Sequence, residues 1–126
     1  YSCRAGTETM YYSGNTKEDL IKVAWFFDNS KQQTHEVGKK AANHLGFYDM
    51  HGNVCEWCFD QPEDYPNNSV TDWVGRNNLN FHSYRGGSWN DKHEEGGLRS
   101  AASAYGISTL KKSTIGFRLC LSCIDE

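Results

Sequence analysis

The sequence predicts a single loop-rich α+β domain with few helices and short strands. With 126 residues, the chain has the length of one domain built around one hydrophobic core. Only one stretch, near residue 16, carries a clear helix start signal, and residues 54–59 have the composition of a buried strand. The 12 glycines and frequent turn residues favour irregular connections between these elements.

The predicted helix follows Thr16. This residue is a suitable N-cap, because Asp19 stands three residues later and can complete a capping box. Leu20, Val23 and Ala24 can then line one face of the helix. The helix should be short, since residues 25–27 are a Trp-Phe-Phe run typical of a buried, strand-like piece.

A tight turn flanked by two acidic residues precedes the predicted strand over residues 54–59. Gly52 can adopt a positive φ without steric cost, and Asp49 and Glu56 flank the turn on either side. Carboxylates with backbone carbonyls between them suit Ca²⁺, which takes about 6–8 oxygen ligands. The alternative is that Asp49 only fixes the turn and that Glu56 pairs with a nearby arginine.

The stretch GFYDMHGNVCEW at residues 46–57 resembles a motif of the formylglycine-generating enzyme and sulfatase-modifying factor family, G-(L/F)-Y-D-M-x-G-N-V-W-E-W. Three further motifs agree in the same order: CRAGT at residues 3–7, RGGSW at 85–89 and GFR at 116–118. The resemblance spans nearly the whole chain and implies a C-type-lectin-like fold of the formylglycine-generating-enzyme type. It also implies one domain over residues 1–126 that lacks the N-terminal part of the family's domain.

The resemblance implies a structural Ca²⁺ site as well. In the family, the positions that match Asp49 and Glu56 provide side-chain oxygens, and those that match Gly52 and Val54 provide carbonyls. These residue types keep the family's site intact. Cys55 stands where the family usually has tryptophan.

Catalysis is not expected of this chain. In the enzymes of the family, two cysteines hold copper and carry out the oxygen-dependent oxidation of a substrate cysteine. The matching positions here are Asp91 and Gly96, which cannot replace the thiolates that Cu(I) requires. The alternatives that stay open are a copper-dependent formylglycine-generating oxidase, a diverged enzymatic relative and a structural accessory domain.

The segment between the RGGSW and GFR motifs is the predicted binding region. It is small and polar, and no hydrophobic period persists over residues 100–114, so neither a helix nor a regular strand is expected there. Its mixture of Tyr, Ser, Gly and Asn is typical of adaptable binding surfaces. The alternative is an ordinary diverged surface loop.

More loosely, the chain resembles the variable proteins of diversity-generating retroelements, which vary a binding surface between fixed motifs. This resemblance implies a non-enzymatic ligand-binding domain whose partner is a protein or a glycan. We expect Tyr105 to be the anchor, because a rigid amphipathic ring gives a large contact area. Nine positions are predicted to project from loops onto one exposed face: Asn90, Asp91, His93, Glu95, Ala102, Ser103, Tyr105, Ile107 and Thr109. Gly86, Gly87, Gly116 and Phe117 are expected instead to set backbone geometry and packing.

Composition excludes some functions and leaves others open. The net charge of −3 gives no basic footprint for nucleic acid, and no apolar run approaches the ~18–20 residues of a membrane span. The cellular compartment is open, with export to the bacterial cell surface as one option. Two C-x-x-C pairs, at 55/58 and 120/123, suggest either zinc ligands or ordinary buried thiols, and disulfides are possible if the protein is exported. The fifth cysteine is Cys3. Residues 60–83 are predicted to form a long surface loop, with residues 70–73 turned inward.

Overall fold

The computed structural model describes residues 1–62, 67–69 and 80–120. In this part of the chain, helix α1 spans Lys17–Val23 and a short 3₁₀ turn spans His93–Glu95. The four strands are β1 (Cys55–Trp57), β2 (Phe81–Arg85), β3 (Ala104–Ile107) and β4 (Ile115–Gly116). Every element is short and the connections are long, so the loop-rich α+β prediction is confirmed.

Helix α1 begins as the sequence predicts. The Thr16 hydroxyl accepts a hydrogen bond from the Asp19 amide at 3.2 Å, and the Asp19 carboxylate accepts one from the Thr16 amide at 3.3 Å. This reciprocal pair is the capping box, which satisfies two amides that a helix start would leave unpaired. Leu20 and Val23 are buried, so the helix rests on the predicted apolar face.

The four strands form one mixed sheet in the order β3-β2-β1-β4. β2 is antiparallel to both of its neighbours, with Glu56 opposite Arg85 and Ser83 opposite Tyr105. β4 runs parallel to β1, with Cys55 opposite Ile115. The sheet therefore brings residues near the end of the chain against the strand that leaves the acidic turn.

The prediction of no strand over residues 100–114 is wrong, because β3 lies within it. β3 forms through pairing with β2, and a local hydrophobic period cannot reveal that pairing. β2 likewise starts inside the predicted loop over residues 60–83, while residues 70–73 lie outside the described residues. β1 is shorter than the strand predicted over residues 54–59.

Most of the hydrophobic core comes from α1 and the loops on either side of it, and Leu98, between β2 and β3, belongs to the same cluster. Its buried members are Tyr11, Tyr12, Leu20, Val23, Ala24, Phe26 and Leu98. The predicted close approach at the glycine pair is present, because a Cβ on Gly87 would lie 2.7 Å from Leu98 Cδ2. The predicted packing role of Phe117 is wrong: this ring is 75% exposed.

Candidate functional site

The acidic turn is held in a conformation that few residues adopt. Asp49, Gly52 and Asn53 have φ values of 54°, 72° and 61°, in the left-handed region where Gly, Asn and Asp are most tolerated. A Cβ on Gly52 would meet the Trp25 carbonyl oxygen at 2.1 Å. The Asn53 amide donates to that same oxygen at 2.7 Å, so only glycine allows the turn to dock against residue 25.

The Asp49 carboxylate is buried and half satisfied. The residue is 8% exposed, and its Oδ2 accepts a 2.7 Å hydrogen bond from the Gly38 amide. Its Oδ1 is buried without a hydrogen-bond partner among the described residues. Since buried carboxylate oxygens rarely stay unpaired, this atom marks a place for a further donor or a cation.

The Glu56 carboxylate is bound by Arg118. Arg118 Nε donates to Oε2 at 2.8 Å and Nη2 to Oε1 at 2.7 Å, a bidentate arrangement. Nη2 also lies 2.9 Å from the Tyr48 carbonyl oxygen and 3.3 Å from that of Asp49. The hydrogen bonds to Glu56 raise the pKa of Arg118 above its ordinary value, so the guanidinium stays charged.

The ion pair matches the alternative interpretation of the turn, in which Glu56 pairs with an arginine. Sequence reasoning had Arg118 only as the last residue of the GFR motif and did not assign it to this site. The parallel pairing of β1 with β4 brings the two residues together. No local sequence signal reveals a contact of this kind between residues so far apart along the chain.

All four predicted metal ligands line one cavity of about 420 Å³, together with Arg118. The aromatic side chains of Phe47, Tyr48 and Phe117 line the same cavity. The oxygen donors suit a hard cation such as Ca²⁺, and the unpaired Asp49 Oδ1 is an observation in favour of that fit. Within the described ranges, no group of three or more His, Cys, Asp and Glu residues forms a metal cluster.

A smaller cavity of about 190 Å³ lies between the sheet and the segment after RGGSW. Its lining comprises Cys55, Tyr84, Arg85, Gly87, Asp91, Gly97, Ala102, Ser103 and Ala104. Asp91 Oδ2 accepts hydrogen bonds from the Ser88 amide at 2.6 Å and the Ser88 hydroxyl at 3.0 Å. Burial raises the pKa of Cys55 to about 12, so this thiol is protonated and a poor nucleophile near neutral pH.

The nine predicted binding residues divide by exposure. Asn90, Glu95, Ser103, Tyr105, Ile107 and Thr109 are exposed, whereas Asp91, His93 and Ala102 are partly buried. His93 packs toward the core, with its ring centroid 6.5 Å from that of Tyr11. Exposed and partly buried positions are therefore interspersed up to Ala102, and the predicted residues after it are all exposed.

The prediction that all nine residues project from loops is wrong for Tyr105 and Ile107, which lie on β3. Side chains alternate along a strand, so these two point away from the side on which Gly106 packs against Trp57 and Tyr84. Asp91, Ala102 and Ser103 instead line the smaller cavity. The structure therefore places three of the nine residues at this cavity and two on β3.

Four of the five cysteines fall within the described part of the chain, and three of them, Cys3, Cys55 and Cys58, are free thiols. Cys123, the fourth member of the two C-x-x-C pairs, lies outside it. No helix of the described residues is long and apolar enough to cross a membrane.

The family model of the sulfatase-modifying factor enzyme 1-like domain matches residues 1–123. The chain belongs to this family. The C-type-lectin-like fold of the formylglycine-generating-enzyme type, expected from the sequence motifs, is confirmed.

Two solved structures of this fold match 93% of the chain. Treponema denticola variable protein 1 superposes with a TM-score of 0.84 at 31% identity, and the match covers 42% of that protein. PvdO from Pseudomonas aeruginosa superposes with a TM-score of 0.77 at 27% identity, covering 47% of PvdO. In sequence, the chaperone protein LppX of Paenibacillus barcinonensis is 35% identical over 43% of this chain and 25% of LppX. The sulfatase-modifying-factor-like domain described here thus spans less than half the length of these relatives.

Proposed function

We propose that this domain is a non-enzymatic ligand-binding module that presents a variable surface on a C-type-lectin-like scaffold. In this proposal it acts as a variable protein of a diversity-generating retroelement, with a protein or a glycan as ligand. The observation that carries the proposal is the match to variable protein 1, at a TM-score of 0.84 over 93% of the chain. Export to the bacterial cell surface stays a prediction.

The backbone of the proposed binding segment supports this role because it is held by contacts that spare the exposed side chains. The Asp91 carbonyl accepts from the Phe27 amide at 3.1 Å, and the Ser108 amide donates to the Asn80 carbonyl at 2.8 Å. Gly106 packs inward against the sheet, while Tyr105 is 63% and Ile107 46% exposed. The exposed side chains can therefore be substituted without a change in the backbone conformation.

The chemistry of the smaller cavity supports a non-enzymatic role. The family resemblance matches Asp91 and Gly96 to the catalytic cysteines, and neither residue offers a thiolate. Asp91 serves the Ser88 turn as a hydrogen-bond acceptor, and the nearby Cys55 thiol is kept protonated by burial. An oxidase of the copper-dependent type would lack its metal ligands here.

We also propose that Ca²⁺ is a structural ligand of the acidic turn. Asp49 and Glu56 would supply side-chain oxygens, and Gly52 and Val54 would supply carbonyls. The buried, unpaired Asp49 Oδ1 supports this assignment. If Ca²⁺ binds only the native state, a hundredfold excess over Kd adds about 2.7 kcal/mol of stability. Thermal melts in EDTA and in Ca²⁺ test this, and identical melting temperatures would contradict it.

The ligand-binding proposal is tested with one multiple variant. All six exposed positions, Asn90, Glu95, Ser103, Tyr105, Ile107 and Thr109, are changed together to alanine. Binders are selected for the natural domain from a peptide display library and a glycan array, then measured against the variant. We expect an unchanged fold by circular dichroism and a loss of binding of at least about tenfold.

Two results would count against the proposal: equal binding of the selected ligands by the variant, or failure of the variant to fold.

The enzymatic alternative has its own assay. A sulfatase-derived cysteine peptide is incubated with the domain, copper and air, and mass spectrometry looks for formylglycine. Turnover above that of a matched blank would favour the oxidase.

A further inference from the structure

The place proposed for a cation already receives a positive charge from the chain itself. The Arg118 guanidinium contacts both Glu56 carboxylate oxygens, at 2.8 and 2.7 Å, and the carbonyl oxygens of Tyr48 and Asp49. Arg118 therefore collects four oxygens from the turn and from β1. Such a set of oxygen donors around one positive charge resembles the ligand shell of a hard cation.

The charges of this cavity are incompletely balanced. Asp49 and Glu56 bring two negative charges, and Arg118 brings one positive charge. The uncompensated part lies at Asp49 Oδ1, which is buried and has no hydrogen-bond partner among the residues described. A divalent cation would balance both carboxylates by itself. A divalent cation and the guanidinium held against the same Glu56 oxygens would instead repel each other strongly at close range.

We infer that Arg118 and a divalent cation are alternative partners of the Glu56 carboxylate, so that Arg118 is an internal competitor of the metal. The inference rests on the cation site proposed above and is independent of the ligand-binding proposal. It assigns to Arg118 a role in setting cation affinity.

The exchange requires little rearrangement. The Arg118 side chain is already 35% exposed, and its neighbour Phe117 is 75% exposed, so moving the guanidinium into solvent breaks no core packing. β4 ends at Gly116 and stays paired with β1, so the backbone before Arg118 remains anchored. The side chain can leave while the sheet persists.

Competition lowers the apparent affinity for the cation. Only the fraction of molecules with Arg118 displaced can bind, so the apparent Kd is the intrinsic Kd divided by that fraction. Without metal, Arg118 neutralises Glu56 and keeps the turn attached to β1. With metal, the turn keeps its support and a free guanidinium is presented beside the rings of Phe47, Tyr48 and Phe117.

Calorimetric titration of the EDTA-treated domain with Ca²⁺ tests the competition. Four proteins are compared: the natural domain, Arg118→Gln, Arg99→Gln and Glu56→Gln. Arg99 is a matched control, since it is an exposed arginine that donates to the Gly96 carbonyl outside the cavity. We expect Arg118→Gln to bind Ca²⁺ at least about tenfold more tightly than the natural domain. Arg99→Gln should match the natural domain, and Glu56→Gln should lose binding.

A second measurement needs no variant, which keeps the inference testable if Arg118→Gln does not fold. The Arg118 Nε–H group is hydrogen-bonded to Glu56 and should give a protected signal in a ¹⁵N-resolved NMR spectrum. Saturating Ca²⁺ should move this signal to a solvent-exchanging position, while that of Arg99 stays.

The outcomes separate the two proposals. Equal Ca²⁺ affinity of the natural domain and Arg118→Gln, or an unmoved Arg118 signal at saturation, would overturn the competition and leave the cation site standing. Absence of Ca²⁺ binding in both proteins would overturn the cation site, and the competition with it.

Discussion

The acidic turn and the binding segment differ in how strongly their structure depends on the identity of each side chain. In the turn, side chains are buried and individually engaged: Asp49 accepts from Gly38, and His51, fully buried, accepts from the Tyr12 amide at 3.3 Å. Burial lowers the pKa of His51 to about 4, so it is neutral near pH 7. Along β3, by contrast, the backbone is fixed and side chains such as Tyr105 face solvent. The turn depends on which residues it contains, whereas the binding segment depends mainly on its backbone path.

The largest effect should come from adding one methyl group to the turn. In Gly52→Ala, the new Cβ would meet the Trp25 carbonyl at a distance no real Cβ tolerates, in a left-handed conformation. We expect a loss of about 4 kcal/mol or more, enough to unfold many domains of this size. Gly46→Ala is the control, since φ is also positive there but no atom lies within 4 Å, and it should lose about 1–2 kcal/mol. Urea unfolding measures both, and equal losses would show that the turn is not docked as described.

A smaller loss is expected when the ion pair of the turn is weakened without metal. Glu56→Gln, measured in EDTA, leaves Arg118 one neutral acceptor and places an amide NH₂ against its second N–H, and should cost about 1–2 kcal/mol. Glu36→Gln removes a comparable carboxylate from the exposed pair with Lys39, at 3.3 Å, and should cost less than about 0.5 kcal/mol. If both variants melt at the same temperature, the Glu56–Arg118 pair stabilises the domain no more than the exposed Glu36–Lys39 pair does.

Within the binding segment, Asp91 should be sensitive to substitution, as the buried residues of the acidic turn are. Asp91→Ala removes the acceptor for the amide and hydroxyl of Ser88, which is 2% exposed, and leaves buried donors unpaired. The expected cost is about 1–3 kcal/mol. The neighbouring Asn90 is exposed, and Asn90→Ala should stay within about 0.5 kcal/mol. Indistinguishable unfolding curves for the two variants would place Asp91 among the freely variable positions.

The smallest stability change belongs to the proposed anchor of the binding face. Tyr105→Ser should alter unfolding by no more than about 0.5 kcal/mol, because the ring is 63% exposed. Its edge contact with Phe81, at a centroid distance of 6.1 Å, is the main interaction lost. A loss above about 1.5 kcal/mol would mean that the ring supports the sheet and is not free to vary.

Local signals predicted the parts of the molecule that local chemistry fixes. Thr16 and Asp19 indicated the start of α1 because each hydrogen-bonds to the other's backbone amide, and Gly52 indicated the turn because its own φ is positive. The pairing of Glu56 with Arg118, and the strand at Tyr105, both depend on strands from distant parts of the chain. The hydrophobic periodicity of a segment does not reveal which distant strand it pairs with. Family motifs predicted the fold, but no sequence signal separated the exposed binding residues from the partly buried Asp91, His93 and Ala102.

The parallel pairing of β1 with β4 has a consequence for how the domain tolerates insertions. Cys55 lies opposite Ile115, so the chain between them forms a closed loop that is clamped at its base by the sheet. The entropy of closing a loop grows only logarithmically with its length, and each doubling costs about 0.6 kcal/mol. Residues inserted between β1 and β4, outside β2 and β3, should therefore add only a small free-energy cost to closing this loop. Lengthening, as well as substitution, is open to this part of the chain as a source of new shapes.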